Sequence, residues 1–256
     1  MHYKKAKKSN IDKDKLIYGR HPIMDSIHNG MSIDKIMLSQ AVKGDYEKEL
    51  RTLCKERNIP LHIVPKDRIS NITQKNHQGV LGFLSYIEYQ LIEDVFPLIY
   101  EKGEVPLVVV LDSITDVRNM GAIARSAEAM GAHALIVPFK KTAQINAEAL
   151  KTSAGALSKI PVCRTASLGN AIDYLLMNGV QVVAADLRGK EMLDELDMTM
   201  PTAIVMGAED EGVRPHILRK ATSWFKIPMM GTTDSFNVSV AAGIVLYEAI
   251  RQRIKL

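Results

Sequence analysis

From residue 104 to the end, short apolar runs alternate with longer stretches of helical periodicity, and that rhythm leaves few folds open. Residues 105–112, 134–138, 161–165, 181–186, 202–207 and 224–229 read as strands, while 119–130, 168–178 and 215–221 read as helices and 146–158 contains one more. Strands this uniformly apolar need cover on both faces, which a mostly parallel sheet flanked by helices supplies. The class is α/β. In such sheets ligands bind just past the carboxyl ends of the strands, so the strand-to-helix connections are where chemistry is to be sought.

Three of those connections share a character. In the first, residues 112–125, Gly121 permits close approach of another backbone and Arg125 lies four residues on along the same helical face. The second, residues 204–213, carries Gly207, Glu209 and Gly212. The third, residues 227–247, leaves a strand, turns through Gly231-Thr232-Thr233-Asp234, and becomes a helix starting near Ser235. That helix is apolar on nearly every face and is expected to be buried. Two readings of its start stand side by side: a serine N-cap ahead of a core helix, or Ser235 and Asn237 held at the helix mouth to fix a ligand. Taken singly, Arg125 reads as a surface ion-pair partner and Glu209 as a solvated acid. The three connections together point to a site. No Gly-x-Gly-x-x-Gly follows a strand and no Gly-x-x-x-x-Gly-Lys-Ser/Thr occurs, which argues against the usual dinucleotide turn and P-loop.

Residues 16–88 read as a smaller α/β unit: a turn at Tyr18-Gly19, a short helix through His28, strands at 33–39, 60–65 and 79–87, and helices at 45–58 and 66–74. Its loop Lys75-Asn76-His77-Gln78-Gly79 carries donors of the kind that meet phosphates or base edges. Residues 89–103 read as a linker with a short helix, separating this unit from residues 104–256. Charge is placed unevenly. The first 15 residues hold Lys4, Lys5, Lys7, Lys8, Lys13 and Lys15 against Asp12 and Asp14, so the net charge of +4 resides in that arm. Such a segment reads as disordered when free, serving either as a nucleic-acid contact or as a solubilising tail. With 46% hydrophobic residues there is ample material for a core, no run is long enough to span a bilayer, and no signal peptide is evident, so a cytoplasmic protein is expected. The two cysteines, Cys54 and Cys163, and the scattered histidines suggest neither disulfides nor a metal site.

Asn119-x-Gly121-x-x-x-Arg125, then Gly207-x-Glu209-x-x-Gly212, then Ile227-Pro228-Met229-x-Gly231-x-x-x-Ser235-x-Asn237-Val238-Ser239 resembles the three-motif signature of the SpoU/TrmH family of RNA ribose 2′-O-methyltransferases. The match spans residues 104–256, with Val117 where many relatives have proline and Phe236 where leucine is common. The unit at 16–88, with Tyr18-Gly19 and His77-Gln78-Gly79-Val80, is similar to the ribosomal-protein-like RNA-binding domain of the subgroup that methylates guanosine in 23S rRNA.

The resemblance implies a C-terminal domain tied as a deep trefoil knot, and a homodimer whose active site is completed across the interface. It implies S-adenosylmethionine bound by Gly207, Ile227 and Phe236 with Met206, Met229 and Gly231 adjacent, the glycines letting backbone approach the cofactor. RNA contacts fall to Arg20, His77, Gln78, Lys4, Lys5, Lys7 and Lys8. Catalysis falls to Arg125, as general base or as phosphate clamp, with Asn119, Ser235 and Asn237 orienting the ribose and Glu209 bracing the knotted segments through backbone hydrogen bonds. No metal is required, because a sulfonium methyl is already activated. The implied activity is 2′-O-methylation of a ribose in structured RNA, 23S rRNA ahead of tRNA, against the alternative of a non-catalytic RNA-binding or ribosome-assembly factor on the same fold.

Overall fold

The computed structural model describes residues 12–254, and the chain divides between Tyr86 and Ile87 into two compact units. Lys4, Lys5, Lys7 and Lys8 of the basic arm lie outside the described residues.

The smaller unit contains β1 (Leu16–Tyr18), α1 (Arg20–His28), β2 (Ile33–Ser39), α2 (Asp45–Glu56), β3 (Leu61–Val64), α3 (Lys66–Ser70) and β4 (Val80–Leu84). Its sheet runs β1-β4-β2-β3, with β2 and β3 parallel and the other pairs antiparallel. Ile23 and Ile27 of α1 and Leu50 and Cys54 of α2, at one-turn spacing, pack on one side with Ile36 and Leu38 of β2. Met37, on the opposite side of that strand, joins Ile69 and Leu81 in a second cluster.

The larger unit contains β5 (Tyr89–Gln90), α4 (Ile92–Glu101), β6 (Leu107–Asp112), α5 (Val117–Ala129), β7 (Ala134–Pro138), α6 (Ala147–Thr152), β8 (Val162–Thr165), α7 (Leu168–Met177), β9 (Gln181–Ala185), β10 (Glu191–Met192), β11 (Thr202–Gly207), α8 (Pro215–Leu218), β12 (Ser223–Lys226) and α9 (Val238–Arg253). Its eight strands run in the order β10-β12-β9-β11-β6-β7-β8-β5, every neighbouring pair parallel. Successive side chains of β6 go to opposite faces. Leu107, Val109 and Leu111 join a cluster with α5 and α9, while Val108 and Val110 join one with α4, α7 and α8. The result is three layers with the sheet in the middle, which explains why β6, β7 and β11 are buried along their whole length.

Residues 89–103, expected as a linker with a short helix, contain that helix as α4 but are built into this unit. β5 pairs with β8 at the sheet edge, and α4 buries Ile92, Val95, Phe96 and Ile99, spaced at three and four residues, in the core. The last helix also departs from expectation. It starts at Val238, not near Ser235, with Asn237 as its N-cap. Only one side of it is buried, through Val238, Ala242, Val245, Leu246 and Ala249, while Val240 and Tyr247 are 51% and 57% exposed.

Candidate active site

Two caps fix the helix mouths that carry the first and third motifs. Asp116 accepts the N–H groups of Arg118 and Asn119 at 2.7 and 3.1 Å, which starts α5 with Asn119 in its first turn. Asn237 accepts the Ser239 N–H at 3.0 Å and the Ser239 hydroxyl at 2.6 Å, which starts α9. The loop after β11, carrying the second motif, is held from both ends. A bridge joins Ala208 and Gly212, and beyond it Arg214 donates its backbone N–H and its Nε to the fully buried Asp112 carboxylate at 2.8 and 2.6 Å. Asp112 ends β6, so the first and second connections are tied together at the rim of the sheet. The charge-assisted pair compensates the cost of burying that carboxylate.

These supports bring one residue from each motif into contact. Asn119 donates its amide to the Glu209 carboxylate at 3.0 Å, Asn237 donates to the same carboxylate oxygen, and Asn237 also reaches Asn119 Oδ1 at 3.1 Å. Residues 90 and 118 positions apart thus share one polar cluster. Glu209 was expected to brace through backbone hydrogen bonds. Its carboxylate bonds two side-chain amides instead, because the caps of α5 and α9 aim both amides at it.

Beside the cluster lies a cavity of about 400 Å³ at the carboxyl ends of β9, β11 and β12. Met206, Gly207, Glu209, Ile227, Met229, Ser235 and Phe236 all line it. Gly231 does not line it, and a Cβ there would meet nothing within 4 Å, so that glycine makes no close approach in this structure. Gly207 needs its lack of a side chain for a reason internal to the chain. A Cβ would fall 2.1 Å from Gly212 C and 2.2 Å from Val213 N, inside the loop that presents Glu209.

Arg125 stands apart. It lies six residues beyond Asn119 on α5, roughly 9 Å along the axis, exposed and in no hydrogen bond or ion pair among the described residues. Arg20, His77 and Gln78 belong to the smaller unit. Among the described residues no group of three or more His, Cys, Asp and Glu side chains could hold a metal ion, and no helix is long and apolar enough to cross a membrane.

The cavity also exposes what sequence reasoning missed. Asp186, Leu187 and Arg188, just past β9, form part of its wall. Arg188 grips Asp186 through Nε and Nη2 at 2.7 and 2.8 Å, and this hydrogen-bonded guanidinium holds the Asp186 carboxyl below its ordinary value although burial pushes the other way. Asp186-Leu187-Arg188-Gly189 is itself a polar, glycine-bearing turn at a strand end, so the rule that singled out the other three connections applied here too.

A parallel sheet with an apolar, acid-rimmed cavity past its carboxyl ends and a cluster of amides and carboxylate beside it defines an α/β ligand-binding protein equipped for group positioning. Residues 106–247 match the SpoU rRNA Methylase family, and residues 16–90 match the RNA 2′-O ribose methyltransferase substrate binding family. The chain belongs to the SpoU rRNA methylase family, a family of RNA methyltransferases. It is similar to the putative TrmH family tRNA/rRNA methyltransferase YacO of Bacillus subtilis (30% identical, covering 93% of this chain and 95% of the relative). Among solved structures it resembles the AdoMet-bound rRNA methyltransferase of Sinorhizobium meliloti (27% identity, 94% of this chain and 88% of that one, TM-score 0.60). It also resembles the SpoU methyltransferase AviRb of Streptomyces viridochromogenes in complex with AdoMet (26%, 93% and 90%, TM-score 0.59).

Proposed function

We propose that this chain methylates a ribose 2′-hydroxyl in structured RNA with S-adenosylmethionine as donor, and that its target is a guanosine of 23S rRNA. The observation that carries the reading is the Asn119–Glu209–Asn237 cluster, which draws three distant motifs together at the wall of one cavity. The cavity suits the donor. Its volume of about 400 Å³ is that of a small-molecule site, Met206, Ile227 and Phe236 offer apolar walls, and Asp186, Glu209, Asp210 and Glu211 outnumber Arg188 and Lys226 at its lining, which favours a cationic ligand. S-adenosylmethionine supplies a methyl group already activated on a sulfonium.

The protein's own task is then positioning, which can lower a barrier by about 7 to 11 kcal/mol. Glu209 fixes the two amides, and the amide and hydroxyl groups of Asn119, Ser235 and Asn237 face the ribose. Arg125, uncommitted among the described residues, clamps the phosphate of the target nucleotide and stabilises the developing alkoxide as a charged group, since a guanidinium keeps its proton in proteins. The exposed Val240 and Tyr247 of α9 support a homodimer in which Arg125 of one subunit completes the site of the other. A trefoil knot is supported by strand order: β12 is inserted between β9 and β10, which are consecutive in sequence, and a Cβ on Gly189 in their connection would lie 2.6 Å from Phe225 C of β12. The smaller unit is read as a ribosomal-protein-like substrate-binding domain, and the whole as a cytoplasmic enzyme.

The test is incubation with labelled S-adenosylmethionine and bulk rRNA or tRNA, followed by nuclease mapping. Label in a ribose of 23S rRNA is the expected outcome, label in tRNA alone would move the target, and no label in either defeats the reading. Arg125→Ala should abolish transfer while calorimetry with S-adenosylmethionine stays unchanged.

A further inference from the structure

The smaller unit holds a second cavity, about 380 Å³, walled by Arg20, Ser39, Lys66, Lys75, Asn76 and the His77-Gln78-Gly79 turn. Three cationic side chains line it and no acid does. None of the three is in an ion pair among the described residues. Two of them rest on aromatic faces instead: the Arg20 guanidinium lies 5.1 Å from the Tyr46 ring centre and Lys75 Nζ 4.9 Å from that of Tyr18. Positive charge gathered in a concave site without carboxylates is an arrangement that an anion completes.

The floor of this cavity is rigid. His77 is buried, its Nδ1 accepts the Gly79 N–H at 3.0 Å, and its Nε2 meets Ser70 Oγ at 3.2 Å. Gln78, at φ +49°, accepts the first N–H of α1 from Arg20 at 2.9 Å, and the Gly79 carbonyl accepts the Ser39 N–H at 2.7 Å. His77 and Gln78, two of the residues that the resemblance offered as RNA contacts, hold the turn itself, His77 through both ring nitrogens and Gln78 through Oε1. They are positioning residues. Arg20, Lys66, Lys75 and Asn76, together with Gln78, are the exposed polar groups that face a ligand.

We infer that this cavity captures one nucleotide splayed out of a single-stranded or looped segment of the RNA, its phosphate held by Lys66, Lys75 and Arg20 and its polar edge by Asn76. The shape decides against a duplex. An A-form helix presents phosphates on a convex ridge and a shallow minor groove, whereas a concave site of this volume admits a base and sugar that have left the stack. This inference rests on the RNA-modifying function proposed above and specifies how its substrate is anchored away from the reacting ribose.

Fluorescence anisotropy with the full-length protein tests it, using a labelled ten-nucleotide single strand and the same sequence as a duplex, over a range of salt. The single strand should bind more tightly than the duplex. The double variant Lys66→Ala/Lys75→Ala should weaken single-strand binding at least tenfold and reduce the slope of log affinity against log salt by about 1.4, as expected for two lost phosphate contacts on single-stranded nucleic acid. Circular dichroism and S-adenosylmethionine calorimetry should be unchanged. Asn76→Ala should weaken binding with no change of salt slope. Wild-type affinity and slope in the double variant, or equal binding of duplex and single strand, overturns the inference while leaving the methylation reading in place. Absence of binding to S-adenosylmethionine and to any RNA overturns both.

Discussion

The two units reach ordered polar sites by opposite routes. In the larger one, Asn119, Glu209 and Asn237 meet across separations of 90 and 118 residues, and nothing local in the chain holds them together. In the smaller one, the turn at residues 75–79 has bonds to partners close in sequence, His77 to Gly79 and Ser70 and Val80 to the His77 carbonyl at 2.8 Å, beside those it accepts from Arg20 and Ser39. A site of the first kind exists only when the whole sheet is assembled, because its caps sit on α5 and α9 and its carboxylate on the loop after β11. A site of the second kind is as stable as one turn and the β4–β2 strand pair it leads into. Substitutions in the first should therefore couple donor binding to global stability, while those in the second should leave donor binding alone.

The largest expected effect breaks the long-range site at its tightest backbone crossing. Gly207→Ala places a Cβ against backbone atoms of Gly212 and Val213 that cannot move without opening the loop, so a loss of about 3 kcal/mol in denaturant unfolding, with loss of S-adenosylmethionine binding, is expected. Gly231→Ala is the control, since its added methyl enters open space and should change stability by less than about 0.5 kcal/mol. Equal effects of the two would mean that both glycines serve the ligand and not the loop. Next comes Gly79→Ala in the smaller unit. Gly79 has φ +79° and an added Cβ would lie 2.5 Å from Val42 Cγ2, so a loss of about 2 kcal/mol confined to that unit is expected. RNA binding should fall and donor binding should not. Smaller again in stability is Asn237→Ala, which removes the α9 cap for about 1 kcal/mol, yet it should lower methyl transfer about 100-fold by freeing Glu209 and Asn119 to drift.

The same contrast explains what could be read from the sequence. Strands buried on both faces announce themselves, and residues 202–207 read as a strand match β11, Thr202–Gly207, because every side chain there is apolar or small and enclosed. β1, β5 and β10, of two or three residues each, carry too little periodicity to be seen and exist because a neighbouring strand offers them partners. In 89–103 the short helix is legible from Ile92, Val95, Phe96 and Ile99, but the acidic residues and Pro97 beside them hide that its apolar face belongs to the core. At the site, Met206, Gly207, Ile227, Met229 and Phe236 sit at the cavity, because the carboxyl end of β11 and the segment that leaves β12 both open onto it. The amide-to-carboxylate geometry of Glu209 was out of reach, as it depends on how three connections approach one another. Likewise the half-exposed α9 looks uniformly apolar in sequence, and only packing shows which stripe the sheet leaves uncovered.

The smallest effect probes whether the larger unit's site really depends on its sheet. His133 sits beside the start of β6, where its Nδ1 accepts the Leu107 N–H at 3.0 Å and its Nε2 lies 3.3 Å from Glu104. Burial lowers its pKa below the ordinary 6.5, with Glu104 pulling the other way. A histidine that is harder to protonate when folded binds more protons when unfolded, so stability is full above 6.5 and declines as the pH falls below it. Trp224, the single tryptophan, lies in the larger unit and reports on it by fluorescence. Urea midpoints read at that residue should fall by a shallow slope between neutral and mildly acid pH, and His133→Gln should flatten the slope without touching the polar cluster. If donor affinity tracks those midpoints in the wild type, the site is a property of the assembled sheet; if it holds steady while they fall, the three connections support one another without β6 and the contrast between the units is weaker than their hydrogen bonds suggest.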